Sequence, residues 1–134
     1  MSLYADLILD HYQHPRNNTL LTSEVSKLDI KSIDVSNPLC GDKLHMEIRE
    51  QDGVIQEIGF TAEGCAISIA SASMLTEYAK GKTKKELLDI STDDVLGLLK
   101  IELTPNRMKC ALLSWEGLMK LLSSSVDQTL SKIE

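Results

Sequence analysis

Apolar positions recur along this chain with two different periods, and the switches between them divide it. Leu3, Leu7, Ile8 and Tyr12 fall on one helical stripe. Ser2 is placed to cap that helix and Pro15 to end it, so a helix is predicted from Ser2 to His14. From residue 27 the period drops to two. Leu28 and Ile30, then Ile33 and Val35, alternate with polar residues in opposite phases. This predicts a strand over 27–36 that carries a bulge.

A hairpin follows. Leu44, Met46 and Ile48 alternate with His45, Glu47 and Arg49, and Ile58 and Phe60 supply the apolar row of the next strand. A two-residue Asp52-Gly53 turn sets Leu44 against Thr61, so the apolar faces miss each other. A three-residue loop, Gln51-Asp52-Gly53, sets Leu44 against Phe60 and Met46 against Ile58, with Gly53 in the left-handed position. Matching of faces favours the second register.

After Gly64 the helical period returns. "CAISIASASMLTEYAK" is rich in small residues, with Ile67, Ala70, Met74, Leu75 and Tyr78 at helical spacing and Gly81 at the C-cap. Thr83 and Glu86 have capping-box spacing and open a short helix, and "STDDVLGLLK" opens another. "LTPNRMKCALLSWEGLMKLL" is a long helix with Thr104 as N-cap and Pro105 in its first turn. Its continuation, "SSSVDQTLSKIE", is weakly helical. Together these elements predict an α+β fold: a three-stranded antiparallel sheet packed against several helices, with an N-terminal helix and a long C-terminal one. Repeats and linkers are absent from the pattern, so residues 1–134 are expected to form a single domain.

Composition narrows the function classes. With 43% hydrophobic residues the chain can build a core. A net charge of −6 argues against nucleic-acid and anionic-membrane partners, which need a basic surface. No apolar run spans a bilayer, and the first residues do not read as a targeting peptide, so the expected location is cytoplasmic.

The cysteines carry the chemistry. There are three, Cys40, Cys65 and Cys110. An odd number in such a chain argues against a disulfide framework and leaves buried thiols, a metal site or a reactive thiol. In the favoured register Cys40 lies opposite Gly64, next to Cys65, and Asp42 lies opposite Ala62 at the same hairpin end. Cys65 also opens the small-residue helix, where the positive end of the dipole favours a thiolate. On a helical wheel Cys110 lies with Ser114 and Gly117, away from the stripe of Met108, Leu112, Trp115, Met119 and Leu122, which Ala111 and Leu118 extend. That leaves a second buried face or a contact surface open, with Lys109 beside the thiol. Three sulfurs and one oxygen suit a four-ligand site for Zn2+ or iron.

At these residues the sequence resembles the IscU/SufU family of iron–sulfur cluster assembly proteins. "LILDHYQHPRN", "NPLCGD", "GFTAEGCAISIASASMLTE" and "RMKCALLSW" are similar to that family's blocks, in order and over most of the chain. The resemblance implies a scaffold that takes sulfur from a cysteine desulfurase and holds a transient 2Fe–2S cluster for apo iron–sulfur proteins. It implies Cys40, Cys65, Cys110 and Asp42 as the ligands of that cluster or of Zn2+, with Asp42 keeping the cluster labile. Two departures stand out. Lys109 replaces the histidine that precedes the third cysteine in the IscU branch. "LTPNRMK" replaces the chaperone-recognition segment Leu-Pro-Pro-Val-Lys, so an Hsp70-type chaperone partner does not carry over. "RMKCALLSW" looks instead like the SufU branch, yet the 45-residue step from Cys65 to Cys110 is too short for that branch's extra segment. The SufU branch implies a zinc-dependent sulfurtransferase, with Cys110 or Cys65 as persulfide carrier. An adaptor domain with structural thiols is the third reading.

Other candidates have plainer explanations. His11 and His14 are spaced to chelate but lack a third ligand, and read as helix-end polar residues. His45 faces outward and is expected to be solvated. Trp115 reads as core. "GKTKKE" lacks a P-loop pattern, and Lys82, Lys84 and Lys85 read as a solvated helix start.

Overall fold

The computed structural model describes residues 3–21, 30–38, 41–99 and 103–133. Helix α1 spans Leu3–Gln13. Strands β1 (Ile30–Asn37), β2 (Asp42–Gln51) and β3 (Val54–Glu63) follow, then helices α2 (Ala66–Ala79), α3 (Lys84–Leu88), α4 (Thr92–Leu99) and α5 (Pro105–Ile133). The sheet is antiparallel with order β1-β2-β3. This is the α+β arrangement expected from the change of period.

The hairpin register differs from the expected one. Gln51 pairs with Val54 across a two-residue turn in which Asp52 and Gly53 have φ of 55° and 79°. Positive φ at both positions matches the twist of the flanking strands. The pairing then shifts: Glu50 lies opposite Ile55 and Arg49 opposite Glu57, leaving Gln56 as the extra residue of a bulge. Past the bulge Ile48 faces Ile58, Met46 faces Phe60 and Leu44 faces Ala62. The apolar faces do match, but the bulge achieves it and not a longer loop. The bulge also explains why Ile55 and Ile58, three residues apart, are both buried; in an unbroken strand they would face opposite ways. The bulge expected in β1 is not there: its pairing with β2 runs unbroken from Ile30↔Arg49 to Asn37↔Asp42. Residues 27–29 of the expected strand lie outside the described residues.

One face of the sheet is covered by α5 and α2. Val35, Leu44, Met46, Ile48, Ile58 and Phe60 meet Leu75, Leu113, Leu118, Leu121 and Leu122 there. Of the stripe of the helical wheel, helix α5 buries Leu122 and the flanking Ala111 and Leu118, and leaves the centre of the stripe outside the core. Cys110, Ser114, Gly117, Leu118 and Leu121 are buried, while Met108 is exposed and Leu112, Trp115 and Met119 are half-buried. Gly117 faces Ile33, Val35 and Leu44 of the sheet. The buried face is centred on small residues, which bring helix and sheet close. A hydropathy pattern gives them little weight.

Helix α2 is enclosed almost all round, with Ser68 and every residue from Ala70 to Thr76 buried. Its buried hydroxyls are all partnered, as burial demands. Ser68 and Ser71 reach the carbonyls of Cys110 and Ala111 on α5. Ser73 meets His11 of α1 and the backbone of Arg16, and Thr76 meets Asn17. So α2 is the hub that fixes α1 and α5 in relation to the sheet.

Candidate metal centre

Three elements deliver one polar side chain each to the end of the sheet. Asp42 begins β2 and shares its inward row with Leu44, Met46 and Ile48. Cys65 is the N-cap of α2, one residue, Gly64, beyond the end of β3. Cys110 lies in the second turn of α5, where Ser71 donates to the Ala111 carbonyl and holds that helix against α2. One ligand atom from each of Asp42, Cys65 and Cys110 lies within 4.8 Å of the others.

The expected placement within the hairpin is corrected here. Leu44, and not Asp42, lies opposite Ala62, and Lys43 lies opposite Glu63. The shifted register brings Asp42 beside Gly64. A Cβ at Gly64 would collide with the Asp42 carboxylate. Cys40 lies outside the described residues.

Asp42 is 1% exposed. Its Oδ1 accepts the backbone N–H of Cys65 at 3.0 Å, and its Oδ2 accepts the Ser68 hydroxyl at 2.6 Å. Burial alone would push this carboxyl up, but hydrogen bonds from Ser68, Cys110 and Cys65 outweigh it and hold Asp42 below the usual carboxylate range. The Cys65 sulfur lies 3.8 Å from Asp42 Oδ2 and 3.7 Å from Ser68 Oγ. Burial raises its pKa and the Asp42 charge adds to that; the Ser68 amide and hydroxyl and Cys110 pull it down, and the balance lies below an ordinary thiol. Cys110 is 1% exposed. It thus belongs to a buried face of α5, the first of the two options the wheel left open. Neither Cys65 nor Cys110 forms a disulfide. Lys109 beside it is exposed.

The donor set fits a thiophilic metal. Bonds of about 2.3 Å to sulfur and about 2.0 Å to oxygen, at tetrahedral angles, put ligand atoms roughly 3.5–3.8 Å apart. The three ligand atoms lie within 4.8 Å of one another, at most about 1 Å beyond that spacing. Among the described residues this is the one such cluster of histidine, cysteine and acidic groups.

A family model described as the NifU-like N terminal domain matches residues 3–128. The chain belongs to the NifU-like N-terminal domain family. Two relatives of this family cover most of the chain. The Bacillus subtilis (strain 168) protein named zinc-dependent sulfurtransferase SufU is 35% identical over 136 residues, covering 89% of this chain and 88% of its own. The Archaeoglobus fulgidus protein named iron-sulfur cluster assembly scaffold protein IscU 1 is 38% identical over 122 residues, covering 90% and 74%. A crystal structure of the N-terminal part of a nitrogen-fixing NifU-like protein from Brucella abortus superposes with a TM-score of 0.72 at 17% identity. It covers 94% of this chain and 96% of its own, and shares the fold.

The remaining polar candidates are placed by the structure. His11 is buried, with Nδ1 2.7 Å from Ser73 Oγ, so it is an internal hinge-pin between α1 and α2 and not a helix-end residue at the surface. Exposed His14 donates its backbone N–H to Asp10 at 2.8 Å. His45 is not simply solvated: it bridges Asp34 and the buried Glu47, at 2.9 Å to each. Glu47 in turn accepts the Leu21 N–H at 2.7 Å, tying residues 17–21 to the outer face of the sheet. Trp115 packs half-buried against the core. Sequence reasoning missed Ser68. The available signal was its place one turn after Cys65, on the same helical face.

Proposed function

We propose that the chain is a scaffold for iron–sulfur cluster assembly. It accepts sulfur from a cysteine desulfurase, binds iron, and holds a 2Fe–2S cluster as cargo for apo-proteins. The single observation that carries this reading is the meeting of Asp42, Cys65 and Cys110 within 4.8 Å where a strand end and two helices converge. Cys40, two residues from Asp42 in the sequence, is the proposed fourth ligand. Soft thiolates suit iron and sulfide, and a carboxylate oxygen in the same set binds them less firmly. A site with one weak ligand suits a cargo that must leave.

Sulfur acceptance needs an accessible thiolate. Cys65 is half-buried and Cys110 almost fully buried, which favours Cys65 as the first acceptor of these two. In that step the Cys65 thiolate attacks the terminal sulfur of the desulfurase persulfide. A new S–S bond forms on Cys65, the old one breaks, and the electron pair leaves on the desulfurase cysteine. The step is an exchange with no net oxidation.

The match to the archaeal scaffold needs 122 positions to cover 90% of the chain. The match to the sulfurtransferase takes 136 to cover 89%, so that relative carries residues absent here. A Streptococcus pyogenes relative named a scaffold likewise takes 142 positions to cover 93%, so these extra residues do not divide the two readings, and the scaffold reading rests on the ligand cluster. Anaerobic purification followed by metal and sulfide analysis, then reconstitution with iron, cysteine and a desulfurase, tests it. A visible-absorbing cluster is expected. One zinc per chain and no cluster would favour the second reading instead.

That second reading is a zinc-dependent sulfurtransferase, favoured by the name of the Bacillus relative and by the lowered Cys65 thiol. It expects desulfurase turnover to rise several-fold on adding this protein, with a persulfide on one cysteine by mass spectrometry. Stimulation that survives a Cys65→Ser, Cys110→Ser double change would sink it. Absence of any metal, with thiols slow to alkylate, would leave only structural thiols.

A further inference from the structure

We infer that Ser68 is a positioning residue that holds Asp42 as an oriented ligand, and that metal affinity at this site depends on its hydroxyl. The inference rests on the metal-site reading above and adds to it a residue outside the cysteine and aspartate motifs. Ser68 is 2% exposed and sits one helical turn after Cys65, under the same site.

Its hydroxyl has one proton and three acceptors in reach, Asp42 Oδ2 at 2.6 Å, the Cys110 carbonyl at 3.3 Å and the Cys65 sulfur at 3.7 Å. The nearest of them, the charged carboxylate, takes the proton. Asp42 Oδ1 is held independently by the Cys65 N–H. Two donors from the start of α2 thus fix both oxygens of one carboxylate, and so fix its plane. Each oxygen keeps a lone pair for a metal. Without Ser68, Oδ2 would lose its closest donor in a place shut off from water. The carboxylate would then be free to turn away from the thiols. Hydrogen-bond partners of metal ligands act in this way generally, and losing one typically costs about 10–100-fold in affinity.

Ser68 also touches α5 through Cys110, so a packing role must be told apart from action through Asp42. Zinc affinity, measured by competition with a chromophoric chelator, is the readout. For Ser68→Ala a fall of about 10–100-fold is expected. Ser68→Thr, which keeps the hydroxyl, should stay within a few-fold of the parent. In an Asp42→Asn background, Ser68→Ala should cause little further loss.

Unchanged affinity in Ser68→Ala overturns the inference. So does an equal loss in the Asp42→Asn background, because the effect would then run through packing. If circular dichroism shows Ser68→Ala unfolded, Ser68→Thr and its isostere Ser68→Val decide the matter at constant shape: equal affinities overturn the inference. Failure of the unaltered protein to bind zinc or iron at all is a different result. It removes the metal-site reading, and this inference with it.

Discussion

Gly64 lies against the carboxylate of Asp42, with a backbone φ of +154° and no room for a Cβ. This contact, between the last residue before a helix N-cap and the first residue of a strand, lets Asp42 reach the Cys65 amide. Gly64→Ala should therefore disturb fold and site together. A stability loss of about 1–3 kcal/mol is expected in denaturant titration. Zinc binding should weaken in the same variant, and retention of full affinity would show that the contact does not position Asp42.

The two described thiols should differ in reactivity. Cys65 is half-buried with a lowered pKa, and Cys110 is 1% exposed. Iodoacetamide at neutral pH should label Cys65 first, read by peptide mass spectrometry. Zinc added beforehand should protect both.

His11 should make the fold sensitive to acid. Burial first, then Arg16, lowers its pKa below 6.5, so the folded state holds it neutral. Its contribution is present above the ordinary value of 6.5 and is lost as pH falls through the lower folded-state value. The melting temperature should drop over that range, and α1 should loosen from α2, because His11 meets Ser73 there. His11→Gln should flatten the profile. An unchanged profile would assign the acid sensitivity elsewhere.

His45 should act with the opposite sign. Burial lowers its pKa, but hydrogen bonds to Glu47 and Asp34 overcome this and raise it. Its contribution is full below 6.5 and fades as pH rises through the raised folded-state value. The difference in melting temperature between the parent and His45→Gln should thus be larger at pH 6 than at pH 9. Zinc affinity should not follow it.

Gly53→Ala serves as a control at the far end of the hairpin. Gly53 has φ of +79° with open space around it, so a methyl group costs strain and no collision. A loss of about 1–2 kcal/mol is expected, with zinc affinity unchanged.

Much of the architecture was legible because it rests on local chemistry. Thr83 accepts the Glu86 N–H at 3.1 Å and Ser91 pairs with Asp94 in the same way, as capping spacing requires. Gly81 has φ of +86° just past the end of α2. The register was not legible. Matching of faces correctly set apolar rows opposite each other, but a loop of three and a turn of two with a bulge both satisfy that rule. Gln56 looks like any exposed strand residue until Ile55 and Ile58 are seen buried together. The inward face of α5 was hidden for another reason: Cys110, Ser114 and Gly117 pack closely because they are small, and smallness leaves no hydrophobic signal.

The amino-acid sequence alone determined the elements, their order, and which residue types have the chemistry to bind a soft metal. Propensity, capping and period act over a few residues, and thiols and carboxylates keep their donor character wherever they sit. Only the tertiary structure decided that Asp42 stands against Gly64, that Cys110 faces inward, and that Ser68 joins them. Those facts depend on a bulge that shifts one strand past its neighbour and on the close approach of α2 and α5. Both bring together residues far apart in the chain, where no local rule reaches.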